Sequence, residues 1–143
     1  MEFALSTHWN AGRHGSGEAM VEEILNLGFR RLELGYDLRL ELVPGVQAMI
    51  RNGSVKVDSV HNFCPVPMGA TRGHPEIWTL AARDDRERES AIHHTQRTIR
   101  FAAEVGARVV VTHSGNVEMP MISTQLFDLC IAQQQFSPRY EKL

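Results

Sequence analysis

Two histidines, His61 and His113, each follow an apolar stretch that has the character of a β-strand. The stretches cover residues 55–60 and 108–112, and the second contains three consecutive valines. An imidazole at the end of a strand can bind a divalent metal, transfer a proton near neutral pH or donate a hydrogen bond to a sugar hydroxyl. One such histidine is usually structural, but two at the same end of successive strands make a functional role as well supported as a structural one.

Further polar side chains lie within or just after the predicted strands. Glu33 sits in the apolar stretch RLEL, and an inward carboxylate there needs a hydrogen-bond partner or a ligand. Alternatively, Glu33 points outward and pairs with an arginine such as Arg31, and the sequence does not decide between these two orientations. His8 and Trp9 follow the first strand, where Trp9 either stacks on a sugar face or packs within its loop, and Asn116 follows the fourth.

The positions of these polar residues are determined by strands and helices that alternate along the chain. Crossover helices make successive strands parallel, and ligands of parallel α/β folds bind beyond the carboxyl ends of the strands. No GxGxxG or GxxxxGK[ST] motif follows the first strand, which weakens a nucleotide-binding open sheet and favours part of a barrel. The predicted strands cover residues 3–7, 31–34, 55–60 and 108–112, and the predicted helices follow Ser16, cover 41–52, follow Asp84 and cover 121–133.

Helical spacing also predicts which side chains face the core. Ser16 and Asp84 are expected N-caps, Gly28 and Gly106 are expected helix stops, and the three valines of the fourth strand are expected to be buried on both faces. The expected inward residues are Met20, Ile24 and Leu27, then Leu42, Val46, Met49 and Ile50, then Ile92, Thr95, Ile99, Ala102 and Ala103, then Leu126, Leu129 and Cys130.

Residues 62–83 form a connection that is too long for a simple link, at about twenty residues. A lid or binding loop anchored by Trp78 is the preferred interpretation, and a surface excursion is the alternative. The His93–His94 pair lies in the middle of a predicted helix and is expected to be structural or solvated.

Composition limits the classes of function. The chain is 43% apolar and 22% charged with a net charge of −2, which is typical of a soluble globular protein and offers no dense basic stripe for nucleic acid. It has no long apolar run and no signal-peptide pattern, so we expect a cytoplasmic protein that does not enter membranes. Cys64 and Cys130 form no CxxC motif and are expected to be buried thiols in a reducing compartment.

Three segments together resemble a known family: SVHNFCPVP, then DDRERESAIHHTQRTIRFAAEVGARVVVTHSG, and the tail FSPRYEKL. They are similar to the N-terminal half of the xylose isomerase-like barrel family, which includes sugar and sugar-phosphate isomerases and epimerases and endonuclease IV-type apurinic-site endonucleases. Ser114 replaces the proline that usually follows the strand-four histidine. The resemblance implies an α/β fold of the (β/α)8 TIM-barrel type, with residues 1–143 forming a single partial domain of about four parallel βα units.

The resemblance also implies roles for individual residues. In the endonuclease branch, the histidines that match His61 and His113 bind zinc. In the isomerase branch, later strands supply most metal ligands, the early histidines contact substrate, and Glu33 matches an acidic residue at the end of strand two. We therefore predict Glu33 and His61 as catalytic, a divalent metal (Mn, Mg, Co or Zn) as cofactor, and a sugar or sugar phosphate bound by His8, Trp9, His113 and Asn116.

A complete barrel needs about 250 residues, so four units leave the edges of the first and fourth strands exposed. We expect either a truncated chain or a homodimer or other oligomer that pairs through these edges. The leading hypothesis is an isomerase or epimerase that needs a second half. The alternatives are an endonuclease IV-like DNA repair enzyme, which a pI near 6.4 disfavours, and a non-catalytic carbohydrate-binding or assembly module.

Overall fold

The computed structural model describes residues 3–115 and 122–143, and alternates strands with helices over this part of the chain. The strands are β1 (Leu5–Ser6), β2 (Arg31–Leu34), β3 (Lys56–His61) and β4 (Val109–Val111). The α-helices are α1 (Gly17–Asn26), α2 (Val43–Arg51), α3 (Asp85–Glu104), α4 (Ile122–Ile131) and α5 (Pro138–Glu141). None of the helices in the described ranges is long and apolar enough to cross a membrane.

The four strands form one parallel sheet in the order β1-β2-β3-β4. Each strand therefore pairs with its neighbour in the chain, and the direction of winding never reverses. Right-handed crossovers that all wind in one direction place their helices on one face of a sheet. The predicted α/β class and the parallel strands are confirmed.

The face of the sheet that packs on the helices, called here the helix face, is apolar. Leu32 and Leu34 of β2 and Val60 of β3 are fully buried in the main hydrophobic cluster. The helices contribute buried side chains such as Met20 and Val46 to the same cluster. Burial of an aliphatic side chain of this size stabilises the folded state by about 1.5–3 kcal/mol.

Helices α1 and α2 approach each other closely because glycine lies at their contact. A Cβ atom on Gly17 would lie 2.6 Å from the backbone nitrogen of Val46, and a Cβ on Gly45 would meet the backbone nitrogen of Glu18 at the same distance. Both positions therefore exclude any larger residue without movement of the backbone.

A register irregularity between Leu32 and Glu33 determines what the opposite face presents. Leu32 pairs with Val57, but the next pair joins Glu33 to Ser59, so Asp58 is passed over. This shift returns Val60 to the helix face and places Ser59 beside Glu33 on the other face. That second face, called here the open face, carries Arg31, Glu33, Ser59 and His61.

The predicted helix ends are confirmed by their caps. The Ser16 side chain accepts a hydrogen bond from the Ala19 N–H, and the Asp84 carboxylate accepts one from the Glu87 N–H at 2.9 Å. Gly28 follows α1 with a φ of +90°, and Gly106 follows α3 with a φ of +73°. This left-handed conformation is the one that glycine adopts at low cost.

Several predicted boundaries shift in the structure. The first, third and fourth strands cover residues 5–6, 56–61 and 109–111, so His61 ends β3 rather than following it. The second helix begins at Val43, after a 3-10 turn at Leu40–Leu42, and the helix predicted over 121–133 ends at Ile131.

Some predictions of burial were wrong. Leu27 is 54% exposed, because α1 has already ended at Asn26, and Cys130 is exposed on α4. Val109 is 53% exposed rather than buried on both faces, because it pairs with Ser59 on the open face of the sheet, which no helix covers in the described ranges.

The packed face of α3 lies about one residue away from the predicted one. Ala91, Thr98, Phe101 and Ala102 are buried, whereas Ala103 and the two isoleucines of the predicted stripe are exposed. The buried set suits a helix that contacts β3 and β4, because small side chains at Ala91 and Ala102 allow it to approach the sheet. The exposed isoleucines are Ile92 at 44% and Ile99 at 53%.

Candidate functional site

The Glu33 carboxylate is held on the open face by hydroxyl groups from both neighbouring strands. Ser6 Oγ of β1 donates to Oε1 at 3.0 Å, and Ser59 Oγ of β3 donates to Oε2 at 3.2 Å. The alternative pairing with Arg31 was wrong, because Arg31 Nε donates to the Asp58 carboxylate at 2.7 Å. Glu33 is therefore a hydrogen-bonded carboxylate on the open face that keeps part of its surface in solvent.

His61 lies beside this carboxylate at the end of β3. Its Nδ1 is 3.7 Å from Glu33 Oε1, and its Nε2 is buried and has no hydrogen-bond partner among the described residues. The ring meets the edge of Tyr36 at a centroid distance of 5.2 Å and the ring of His113 at 5.4 Å. A buried nitrogen with no partner has an unmet capacity to hydrogen-bond a ligand.

His8 is oriented by two neighbours from the segment after β2. Its Nδ1 lies 3.0 Å from Asp37 Oδ2, and its Nε2 lies 3.2 Å from the Tyr36 hydroxyl. In the neutral ring, Nδ1–H donates to Asp37 while Nε2 accepts from the hydroxyl of Tyr36. Five residues form the strand-end cluster, defined as His8, Glu33, Tyr36, His61 and His113. Ring contacts join its four aromatic members in a chain, and Glu33 lies 3.7 Å from His61.

The long loop supplies two residues that the sequence did not single out. Glu76 Oε1 lies 3.1 Å from His113 Nδ1, and the ring of His74 lies 6.4 Å from that of Tyr36. Nothing in the residues around them predicts this, because the path of a long loop depends on contacts distant in sequence. The loop therefore reaches the carboxyl ends of the strands.

Two other predicted site residues are placed differently. Trp9 is 46% exposed and lies under the guanidinium of Arg13, which is 4.2 Å from the centre of the indole ring. No ring contact joins Trp9 to the strand-end cluster within the described ranges. Asn116, and Glu118 beyond it, lie outside the described residues.

Trp78 anchors the loop on α3, as predicted. Its indole stacks on the ring of His94 at a centroid distance of 4.3 Å and 5° between planes, and Phe63 contacts it edge-on. The Thr79 N–H donates to the Glu87 carboxylate at 3.2 Å, which ties the loop to the first turn of the helix. Burial lowers the pKa of His94, and the nearby charges of His93 and Arg97 lower it further.

Other polar residues that follow the strands serve the fold. Thr7 Oγ1 accepts from the Gly35 N–H at 2.8 Å, and Asn62 donates to Thr95 at 2.9 Å. Glu23 of α1 binds the loop after β1 through side-chain hydrogen bonds that lower its pKa to about 2, the largest contribution coming from Arg13, followed by His14 and Asn10. These contacts fix the first loop against α1.

Cys64 is confirmed as a buried thiol. Its side chain is almost completely enclosed, and burial raises its pKa well above the ordinary thiol value, with Asp37 and Glu33 adding to the effect. The reactive thiolate is therefore disfavoured, which argues against Cys64 as a nucleophile.

The described residues supply two of the ligands that the predicted divalent metal would need, His61 and His113. The rings of His61 and His113, 5.4 Å apart, are close enough for one zinc ion to bind a nitrogen of each, since Zn–N bonds are about 2.0–2.1 Å. Among residues 3–115 and 122–143, however, no group of three His, Cys, Asp or Glu side chains has a metal-binding arrangement. The described residues do not fit a complete metal centre.

A pocket of about 610 Å³ opens beside the strand-end cluster. It shares His8 and Tyr36 with the cluster but does not include Glu33 or His61, which lie on the open face of the sheet instead. The pocket, called here the loop pocket, lies between residues 36–41 and residues 66–74 of the long loop.

The site thus joins a carboxylate and an imidazole within reach of one small molecule, with a pocket next to them. Comparison with known proteins adds no relative to this picture: the chain matches no protein-family model, no curated protein and no solved structure.

Proposed function

We propose that this chain is an isomerase or epimerase of sugars or sugar phosphates, built as half of a (β/α)8 barrel of the xylose isomerase-like family. The observation that carries the proposal is the Glu33 carboxylate, which two serine hydroxyls hold 3.7 Å from His61 on the open face. Isomerisation and epimerisation both need a base that removes a proton from the carbon next to a carbonyl.

In isomerisation Glu33 removes the carbon-bound proton and returns it to the neighbouring carbon. In epimerisation Glu33 removes the proton and an acid from the second half of the barrel returns one to the opposite face of the same carbon. The hydrogen bonds from Ser6 and Ser59 fix the position of the carboxylate, and alignment of this kind accounts for much of the rate that an enzyme gains. In the proposed reaction His61, whose Nδ1 lies 3.7 Å from Glu33 Oε1, hydrogen-bonds the substrate oxygen next to the carbon that loses the proton.

The strand order of the sheet supports the proposal of a half-barrel. A sequential parallel order with a single direction of winding is that of a barrel wall, whereas a doubly wound sheet reverses direction. The outer edges of β1 and β4 pair with no further strand in the described part of the chain, and we propose that their partner is a second copy of this chain or a further segment of barrel. Light scattering of the purified chain tests this, and a stable monomer with cooperative unfolding would contradict it.

The endonuclease IV-like alternative has one specific observation in its favour, the His61–His113 pair. It requires zinc bound through both rings and a third ligand from outside the described residues. Elemental analysis separates the readings: one zinc per chain that is lost in His61→Ala and in His113→Ala favours the endonuclease. Sugar binding without metal and without turnover favours the non-catalytic module.

The central test is deuterium exchange into ribulose 5-phosphate and ribulose, followed by proton NMR. The chain is expected to exchange the protons next to the carbonyl, and Glu33→Gln is expected to slow this by about 100-fold or more, since positioned general bases contribute on the order of 10²–10⁴. Glu22→Gln, an exposed glutamate of α1, is the matched control and should retain the rate. Unchanged exchange in Glu33→Gln would overturn the assignment.

A further inference from the structure

The loop pocket lies next to the strand-end cluster and shares two of its members. His8 and Tyr36 line it on the side of the cluster, and loop residues 66–74 form the opposite wall. Ligand pockets of enzymes are concave sites of about 300–1,000 Å³ with a few placed polar groups, and this one has a volume of about 610 Å³.

Two carboxylates, Asp37 and Glu41, and two guanidiniums, Arg39 and Arg72, line the loop pocket, so their formal charges sum to zero. The Asp37 carboxylate faces His8 at 3.0 Å, and the Glu41 carboxylate accepts from Arg39 at 2.6 Å. Arg72 also lines the pocket, and its guanidinium has no hydrogen bond or ion pair with any residue in the described ranges. Arg72 is therefore the guanidinium of the lining that is available to pair with an anionic ligand.

Neighbouring groups add hydrogen-bond donors on the same wall. His74 Nδ1 accepts from the Glu76 N–H at 3.1 Å, so the ring proton of neutral His74 lies on Nε2, where it can donate to a ligand. Thr71 contributes a hydroxyl to the lining. Gly73 packs against the Tyr36 carbonyl so closely that a Cβ atom has no room, which fixes this part of the loop beside Tyr36.

The rest of the lining is apolar. Leu40, Val66 and Pro67 offer carbon surface on which the body of a small organic molecule can lie. An apolar surface, a free guanidinium and two further donors together suit an organic anion such as a phosphate monoester.

We propose that the loop pocket binds the phosphate group of a phosphorylated sugar, so that the substrate is a sugar phosphate rather than a free sugar. This inference rests on the proposed function, because the sugar carbons must reach Glu33. Tyr36 provides the connection: its ring is 5.2 Å from that of His61 on one side and 6.4 Å from that of His74 on the other. A ligand lying along Tyr36 spans from the pocket to the carboxylate.

The test is calorimetric binding of ribulose 5-phosphate, ribulose and inorganic phosphate to the full chain, in the Glu33→Gln background so that turnover does not interfere. Ribulose 5-phosphate is expected to bind at least about ten-fold more tightly than ribulose, since charge-assisted hydrogen bonds to a phosphate are strong. Arg72→Ala should remove this preference, Arg72→Lys should retain part of it, and Arg51→Ala, at an exposed arginine of α2, should leave it unchanged.

The outcome separates this inference from the proposed function. Arg72-dependent preference for the phosphate without any deuterium exchange would support the pocket and overturn the isomerase. Deuterium exchange that is equal for ribulose and ribulose 5-phosphate, and unaffected by Arg72→Ala, would support the isomerase and overturn the pocket. Equal affinity for the two sugars, or a preference that survives Arg72→Ala, also contradicts it.

Discussion

The two faces of the sheet follow opposite rules, although alternate residues of the same strands form them. On the helix face, Leu32 and Leu34 are fully buried among aliphatic side chains. On the open face, Arg31 and Glu33 of the same strand bind Asp58 and two serines, and all keep part of their surface in solvent.

Within the four residues of β2, the leucines therefore stabilise the fold, and Arg31 and Glu33 carry the polar groups that a ligand could contact. Apolar burial stabilises in proportion to the area removed from water, whereas a hydrogen bond exchanged with water contributes a net of only about 0.5–1.5 kcal/mol. Polar groups on the open face can therefore be arranged for a ligand at small cost to the fold. Substitutions at neighbouring positions test this directly.

The largest expected contrast is between Leu34 and Glu33. Leu34→Ala should destabilise the chain by about 2–5 kcal/mol, because it leaves a cavity in the core. Glu33→Gln should cost no more than about 1 kcal/mol, because the amide keeps an oxygen that accepts from a serine hydroxyl. Urea unfolding followed by circular dichroism measures both, and equal losses would show that the carboxylate is structural.

The Arg31–Asp58 pair is expected to contribute less than the core. Both side chains are about one-third exposed, so water screens their attraction. A double-mutant cycle with Arg31→Ala, Asp58→Ala and the double variant should give a coupling free energy on the order of 1 kcal/mol. A coupling free energy of 3 kcal/mol or more would mean that another surface covers the open face and excludes water from the ion pair.

The anchor of the long loop gives a smaller effect that depends on pH. The pKa of His94 is lowered in the folded chain, so the unfolded chain binds the proton more readily. Stability from this group is fully present above about pH 6.5 and is lost as the pH falls toward the folded-state pKa. In a Trp9→Phe background, Trp78 fluorescence should report the transition below pH 6.5.

The control for that titration is a neighbouring histidine. His93→Gln removes a like charge, so the pKa of His94 should rise and the midpoint should move to higher pH. His94→Gln should abolish the transition. A midpoint that does not respond to either variant would contradict the assignment to the Trp78–His94 stack.

Sequence patterns predicted the features that local chemistry controls. The caps at Ser16 and Asp84 and the helix stops at Gly28 and Gly106 depend on a few adjacent residues, and all four are confirmed. The α/β class followed from the alternation of elements. The packed face of α3 was missed because several aliphatic residues surround the helix, and only the sheet decides which of them are buried.

The sequence predicted only those residues of the candidate site that lie at or near the ends of strands. His61 and Glu33 were found because parallel strands bring their carboxyl ends together, and the structure places them 3.7 Å apart. Ser59 carried a usable signal, since it lies two residues before His61 and thus on the same face. Glu76 and His74 carried none, because their position depends on how a loop of about twenty residues returns to the sheet.

The smallest expected effect concerns Val109 on the edge strand. Val109 pairs with Ser59 and is 53% exposed on the open face, whereas Val110 pairs with Val60 and packs on the core. In a dilute monomer, Val109→Thr should change the stability by no more than about 0.5 kcal/mol, and Val110→Thr should cost about 1–3 kcal/mol by burying a hydroxyl. Urea unfolding at several protein concentrations measures both. A cost at Val109 that rises with concentration until it equals that at Val110 would show that a second copy covers the open face.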